Sequence, residues 1–373
     1  PRLLYNPPAP ETLDAELERQ IAGVAPGDLE REMDVLRHFK HSQVLRVAAA
    51  DVAGALLLRV VSDHLSAIAE SVLRATLRLA RAHTQRRFGE PYCVEHGVRR
   101  RAGFVIVAYG KLGGFELGYG SDLDLVFLHD SRGEPQTSDG AAPIHNQEYF
   151  ARLAQRIIHL LTTLTPAGKV YDIDTRLRPS GNAGLLVSSL DAYRKYQDEQ
   201  AWTWEHQALI RARPVAGDAD TGAAFSRTRA QVLARVRDAD RLKSEVCAMR
   251  DRMRRERLGT AGGRFDLKQG RGGITDLEFM VQYLVLRWAA AYPALLPHTD
   301  NRHLLGTLAE CGILSGEARD ELGQAYFDYR ARAHALALQE QAAWLGAEEM
   351  LGHRARVTAI WQAVLGTTTE EGQ

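Results

Sequence analysis

Three groups of residues have the types and spacing to act on a phosphate. The first is Tyr109-Gly110-Lys111-Leu112-Gly113-Gly114. Glycines let backbone amides approach phosphate oxygens, a helix N-terminus adds partial positive charge, and Lys111 adds a full one. Alone, such a turn is a weak signal, and the GxxxxGK[ST] of a Walker A loop is absent. The second group is Ser121-Asp122-Leu123-Asp124. On a strand, residues i and i+2 face the same side, so Asp122 and Asp124 project together while Leu123, Leu125 and Phe127 face the core. Aspartate is disfavoured in strands. Two carboxylates about 4 Å apart repel by roughly 4 kcal/mol at an effective dielectric of 20, a cost that a divalent cation removes. Hard oxygen donors suit magnesium, which completes its shell with water and substrate phosphates. The third group is Asp172-Ile173-Asp174-Thr175-Arg176. The same alternation puts Asp172, Asp174 and Arg176 on one face. If this strand lies beside the second, a third carboxylate joins the pair, and Arg176 or Arg178 can neutralise phosphate charge. A lone D-x-D is more often structural than functional, but the three groups in this order are much less expected by chance.

The elements that must position these residues can be read from periodicity. The run GFVIVAYG ending at Gly110 reads as a buried strand, followed by the glycine turn and a short helix. SDLDLVFLHD reads as a second strand and KVYDIDTRLR as a third, ended by Pro179-Ser180-Gly181. Residues 131–145 read as a loop, and a helix is predicted from about Asn146 to Leu164. Before this core, PRLLYNPPAP reads as a linker. Helical spacing follows from Glu11 to about Arg87, broken at Pro26-Gly27, with Asp28 as an N-cap. Ser62 to Arg87 reads as one long helix that buries Leu65, Ile68, Val72, Leu73, Leu77 and Leu79. Beyond about Asp191 the pattern turns helical again. Thr275 and Glu278 form a capping-box pattern, and another helix is predicted from about Glu317 to Leu338. The expected architecture is α+β: a small α/β core at 91–215, a linker and helical region at 1–90, and a helical bundle at 216–373.

Composition narrows the function classes. The chain has 373 residues, and Lys plus Arg equal Asp plus Glu at 47 each. A grip on a nucleic-acid backbone calls for a basic surplus, so a polynucleotide substrate is disfavoured. Cys93, Cys247 and Cys311 are scattered, with no CxxC pair, which fits reduced thiols in a cytosolic protein. The histidines show no zinc spacing. No segment reads as membrane-spanning and no signal peptide is visible. The first residue is Pro1 rather than Met, which suggests an excised fragment.

A glycine turn after a strand, then D-x-D on the next strand and a later carboxylate, resembles the DNA polymerase β-like nucleotidyltransferases. Lys111 departs from that wider pattern, which prefers Gly or Ser there. AYGKLGGFELGYGSDLDLVFLHD at 108–130 resembles the bacterial glutamine-synthetase adenylyltransferases. So, in the same order, do FKHSQVLRVAAADVAG at 39–54, YDIDTRLRPSGNAGLLV at 171–187, AWTWEHQALIRARPVAGD at 201–218 and GRGGITDLEFMVQYLVLR at 270–287. The resemblance implies a polymerase β-like core with a helical domain after it. It implies Asp122, Asp124 and Asp174 as catalytic metal ligands, and Gly110, Lys111, Ser121, Arg176 and Arg178 as nucleotide contacts. The activity it implies is AMP transfer from ATP to a tyrosine of glutamine synthetase, with Mg2+, in the cytoplasm, under control of the PII signal protein. GYGSDLDLVFLHD and WTWEHQAL favour the adding half of such enzymes over the removing half.

Alternative readings are phosphorolytic removal of AMP, transfer to another acceptor, and a PII-sensing module without catalysis. Intact Asp122, Asp124 and Asp174 argue against the last. Trp202, Trp204 and His206 read as a helix with its aromatic face in the core. Arg211 and Arg213 either reach a triphosphate or are solvated. Arg254, Arg255 and Arg257 read as an exposed face. RFDLKQGRGGITD reads as a domain-joining turn or a second binding loop.

Overall fold

The computed structural model describes residues 9–257 and 263–366. Most of the proline-rich opening lies outside them, and Pro10 itself begins the first helix. The helices before the core are α1 (Pro10–Ala22), α2 (Leu29–Val52) and α3 (Leu58–Phe88). Asp28 caps α2, its side chain accepting from the Arg31 amide at 3.3 Å. The long α3 buries all six residues expected of it, from Leu65 to Leu79.

The strands are β1 (Pro91–Glu95), β2 (Val98–Arg101), β3 (Phe104–Ala108), β4 (Leu123–His129), β5 (Gln136–Ser138), β6 (Ile173–Asp174), β7 (Val187–Ser189) and β8 (Arg213–Gly217), with α4 (Gly110–Gly113) between β3 and β4 and α5 (Asn146–Thr162) between β5 and β6. The sheet that matters runs β6-β4-β3-β8. β3 pairs antiparallel with β4 and with β8. β4 pairs parallel with β6 at its start and with β7 at its end. β3 is buried throughout, and Val126 and Leu128 of β4 are as buried as Leu125 and Phe127. The rings of Phe104, Phe127 and Phe150 stack at 5.6–6.0 Å and fix α5 to the sheet. The helices before residue 90 share this apolar core.

The stretch 91–101, to which periodicity assigned no element, is a hairpin turning at His96-Gly97, both with positive φ. Several expectations are corrected here. The loop at 131–145 contains β5, which pairs with β1. The third strand is only Ile173–Asp174. Arg176 lies in a turn beyond it, because its amide donates back to Asp174 Oδ1 at 2.8 Å and ends the extended run. The chain after Asp191 is not purely helical, since β8 returns to the sheet.

The chain forms two compact units, 1–201 with 211–228, and 202–210 with 229–373. The second is helical: α7 (Thr203–Ile210), the end of α8 (Ala219–Leu233), α9 (Ala239–Arg257), α10 (Ile274–Trp288), α11 (Asn301–Glu310), α12 (Gly316–Leu338) and α13 (Leu351–Leu365), with a small pair of strands, β9 (Phe265–Asp266) and β10 (Trp344–Leu345); α6 (Leu190–Glu199) belongs to the first. The capping box at Thr275 is not formed. Gly273 is the N-cap, and the Ile274 and Thr275 amides donate instead to the carbonyls of Leu267 and Lys268 at 3.0 and 3.1 Å. The glycine loop before α10 is tied internally and joins no domains: Gly272 N–H donates to Asp276 Oδ2 at 2.7 Å, and Tyr329 Oη donates to the Gly272 carbonyl at 2.8 Å. Arg254 is not solvated. It shares Asp276 with the fully buried Arg250. Arg255 is exposed as expected, and the side chain of Arg257 lies outside what is described. Trp202 is 70% exposed while Glu205 and Gln207 are buried, the reverse of an aromatic face turned inward. Glu205 accepts from the Trp202 amide at 2.9 Å, and Gln207 donates to Gln282 at 3.1 Å.

Candidate metal centre

The site gathers at one end of the sheet, where β3 stops and β4 and β6 start. Register places Asp124 beside Asp174 in the parallel pair, and Leu123 beside Ile173. Asp122, just outside the strand, completes a group in which one carboxylate oxygen from each of the three residues lies within 4.8 Å of the other two. Asp122 is exposed and the other two are half-buried. Asp172 stands apart: it is exposed and takes an ion pair from Lys169 at 2.6 Å, while its backbone carbonyl accepts from the Leu123 amide at 2.9 Å. It thus fastens β6 to β4 rather than joining the carboxylates.

The glycine turn is shaped around Asp124. Gly110 has φ +54°, and a β-carbon there would stand 2.2 Å from Asp124 Oδ2. Only glycine both adopts this conformation freely and leaves that space. Gly113 has a similar constraint, since its β-carbon would meet the Arg211 carbonyl at 1.9 Å. α4 is a single turn, so its dipole is small. Lys111 Nζ donates to Ser121 Oγ at 3.2 Å, and the Gly118 amide donates to the same hydroxyl at 3.2 Å. The turn and the start of β4 are thereby joined through Ser121.

The arginines divide by function. Arg176 holds Asp174 with both its guanidinium and its amide, and its side chain is 68% exposed. Arg178 donates to the Thr175 carbonyl and hydroxyl, each at 2.8 Å, and clasps the loop that follows β6. Arg211 and Arg213 are neither solvated nor extended. Arg211 is buried against Glu116. Arg213 pairs with Glu70, donates to the carbonyls of Leu112 and Gly113 at 3.0 and 3.1 Å, and lies 3.6 Å from the centroid of the Phe115 ring. Both pin the glycine turn from behind. The sequence pattern did not foretell this, and its one signal was the pair of arginines at 211 and 213, the second of which opens β8.

Electrostatics single out Asp124. Burial first, and then the charges of Asp122 and Asp174, push its carboxyl up to about 6. Asp174 goes the other way, because hydrogen bonds from Arg176 hold its carboxyl below the usual range. Three clustered carboxylates with one strained toward protonation are what a hard divalent cation would relieve. The donor set and the space kept by Gly110 fit such an ion.

Fold and site together define a class: an α+β core that presents three carboxylates beside a glycine-rich turn. Residues 1–228 match the family described as "Glutamate-ammonia ligase adenylyltransferase", and the chain belongs to that family. Residues 240–344 match "GlnD PII-uridylyltransferase". The chain is similar to proteins named "Bifunctional glutamine synthetase adenylyltransferase/adenylyl-removing enzyme". It is 50% identical to that of Thioalkalivibrio sulfidiphilus over the whole chain, 49% identical to that of Nitrosococcus oceani over 98% of it, and 50% identical to that of Pseudomonas syringae pv. tomato over 96%. It spans 38%, 38% and 37% of their lengths, respectively.

Proposed function

We propose that this chain is the adenylyl-adding half of such an enzyme, transferring AMP from ATP to a tyrosine of glutamine synthetase and releasing pyrophosphate. The observation that carries the reading is the convergence of Asp122, Asp124 and Asp174 beside the Gly110–Lys111 turn, in a chain of the adenylyltransferase family. In this reading Asp122 and Asp124 hold one magnesium ion, and Asp174 shares in a second. Magnesium there supplies positive charge for the triphosphate and the leaving pyrophosphate and favours the ionised acceptor.

The chain's own residues do the positioning. Gly110 leaves room for the Asp124 carboxylate, and Lys111 and Ser121 form the polar edge that meets phosphate oxygens. Free tyrosine ionises near pH 10, so its hydroxyl proton needs an acceptor, and Asp174 is assigned that role. Its grip by Arg176 weakens it as a base. Arg176 is therefore assigned to leave Asp174 for the phosphates when nucleotide binds, and its exposure permits that swing. Residues 91–215 are the catalytic core in this reading. The match of 240–344 to a PII-uridylyltransferase supports PII as the regulator, and the family setting supports a cytoplasmic location.

The test is incubation with unmodified glutamine synthetase, Mg2+ and ATP labelled at the α-phosphate, with an Asp122→Asn/Asp124→Asn control. Label on glutamine synthetase that disappears in the control supports the reading. Phosphate-dependent release of AMP from modified glutamine synthetase, with no transfer, would assign the chain to the removing half.

A further inference from the structure

The first unit opens a cleft of about 330 Å3 whose lining includes the chain neighbours of the carboxylates; it is formed in part by Lys40 and Val44 of α2, Leu65 of α3, Tyr119, and the segment Gly168–Asp172. That segment runs directly into β6 and Asp174, and residues 117–121 of the lining end at Ser121, where the cleft borders the edge assigned to the phosphates. The volume sits at the small end of the range for ligand sites, and the walls are mostly apolar with few polar groups. Most of those polar groups are already engaged. Lys169 pairs with Asp172 at 2.6 Å, Tyr119 Oη donates to Asp51 at 3.0 Å, and His41 Nε2 contacts the Lys169 carbonyl at 3.2 Å. Lys40 is held more loosely. Its ammonium lies 5.1 Å from the Tyr171 ring centroid and feels the charge of Asp172, with no close ion pair or hydrogen bond among the described residues. At the rim Leu164 exposes 76% of its surface, an apolar contact offered to whatever enters.

Sheet order gives the two substrates separate sides. In the order β6-β4-β3-β8, the glycine turn that ends β3 lies on one side of Asp122 and Asp124, and Asp174 lies on the other. A triphosphate against the turn leaves the Asp174 side to the acceptor. Given the adenylyl-transfer reading above, on which this rests, we propose that the cleft is the acceptor subsite: it receives the tyrosine side chain to be modified, with Lys40 as the cation that favours its phenolate. An aromatic ring with one ionising oxygen matches an apolar slot with an ammonium in its wall. In the step it serves, the tyrosine proton passes to Asp174 and the phenolate oxygen bonds to the α-phosphorus. The bond from that phosphorus to the bridging oxygen breaks, and pyrophosphate leaves with the electron pair.

The experiment uses the full chain with Mg2+, two variants, Val44→Trp to fill the cleft and Lys40→Met to discharge it, and Lys40→Arg as the conservative control. Transfer kinetics are measured against glutamine synthetase at saturating ATP, and nucleotide affinity is measured separately with a fluorescent ATP analogue. The expected result is a loss of about tenfold in kcat/KM for glutamine synthetase in both variants. Analogue affinity should stay within about twofold and Lys40→Arg should recover most of the loss. Lys40 is half-buried on a helix surface, so its substitution keeps the test alive if Val44→Trp does not fold. Weakened analogue binding with an unchanged acceptor KM would make the cleft a nucleoside site and overturn the proposal, as would variants that match the unsubstituted chain. Absence of transfer by the unsubstituted chain would instead overturn the functional reading, and this assignment with it.

Discussion

Replacing Asp124 by asparagine should stabilise the metal-free protein while removing its response to magnesium. Asp124 is half-buried, and burial together with Asp122 and Asp174 raises its carboxyl from 3.8 to about 6. A shift of that size corresponds to roughly 3 kcal/mol of destabilisation when the group is ionised. The sign follows from linkage. An acid whose folded value lies above its unfolded value destabilises the fold fully above about pH 6, and the cost fades as pH falls toward 4. Asparagine carries no charge, but a buried amide short of partners gives back about 1–2 kcal/mol. The net gain is then about 1–2 kcal/mol, or about 2–8 °C for a unit of this size. Thermal unfolding in EDTA at pH 7.5 should show the variant above the unsubstituted chain. At pH 4.5 the gap should close, and added Mg2+ should raise only the unsubstituted chain. A variant that melts lower in EDTA and gains as much from Mg2+ would refute both the electrostatic account and the metal assignment.

Two further substitutions test how the turn is built. Gly110→Ala forces a β-carbon into a left-handed position 2.2 Å from Asp124 Oδ2; the conformation costs about 1–2 kcal/mol, and displacing the carboxylate should lower transfer about 100-fold, so an initial rate within twofold of the unsubstituted chain would count against the cradle. Arg211→Met leaves Glu116 buried and unpaired, since their side chains are only 7% and 6% exposed. That should cost about 3–5 kcal/mol in urea unfolding, with most of it recovered in the Arg211→Met/Glu116→Leu double variant.

The parts of the fold legible in sequence were those whose local pattern and tertiary role agree. α3 repeats apolar residues at helical spacing for eight turns, and β3 is an unbroken apolar run, so each announces both its type and its buried face. The clustering of the carboxylates was legible for a related reason: Asp124 conflicts with strand propensity, and a local conflict of that kind singles out a candidate site, although Asp122 proves to stand just before the strand. What remained hidden depends on partners distant in sequence. β8 carries Pro214, which argues against a strand, yet it sits at the edge of the sheet where that loss is tolerated. The Thr275 capping box was a valid local pattern, but carbonyls of Leu267 and Lys268 reach the helix amides first. Trp202 looked like core because it is aromatic, whereas the buried places beside it go to Glu205 and Gln207, which find hydrogen-bond partners there.

The site itself shows the same division at finer scale. Alternation placed Asp172, Asp174 and Arg176 on one strand face, and the register of β6 on β4 does bring Asp174 to Asp124. The strand lasts only two residues, however, because Asp174 accepts the amide of Arg176 and turns the chain. A carboxylate that ends its own strand cannot present its neighbours by alternation, so Asp172 is left outside to hold Lys169 and Arg176 folds back as a counter-ion. That turn gives the site its asymmetry. Asp174 is kept ionised by an exposed guanidinium, while Asp124, walled in by Gly110 and facing two like charges, is the carboxylate with most to gain from a cation. In the proposed reading, Asp122 and Asp124, next to the glycine turn, would therefore hold a divalent ion more readily than Asp174, which is already neutralised by Arg176.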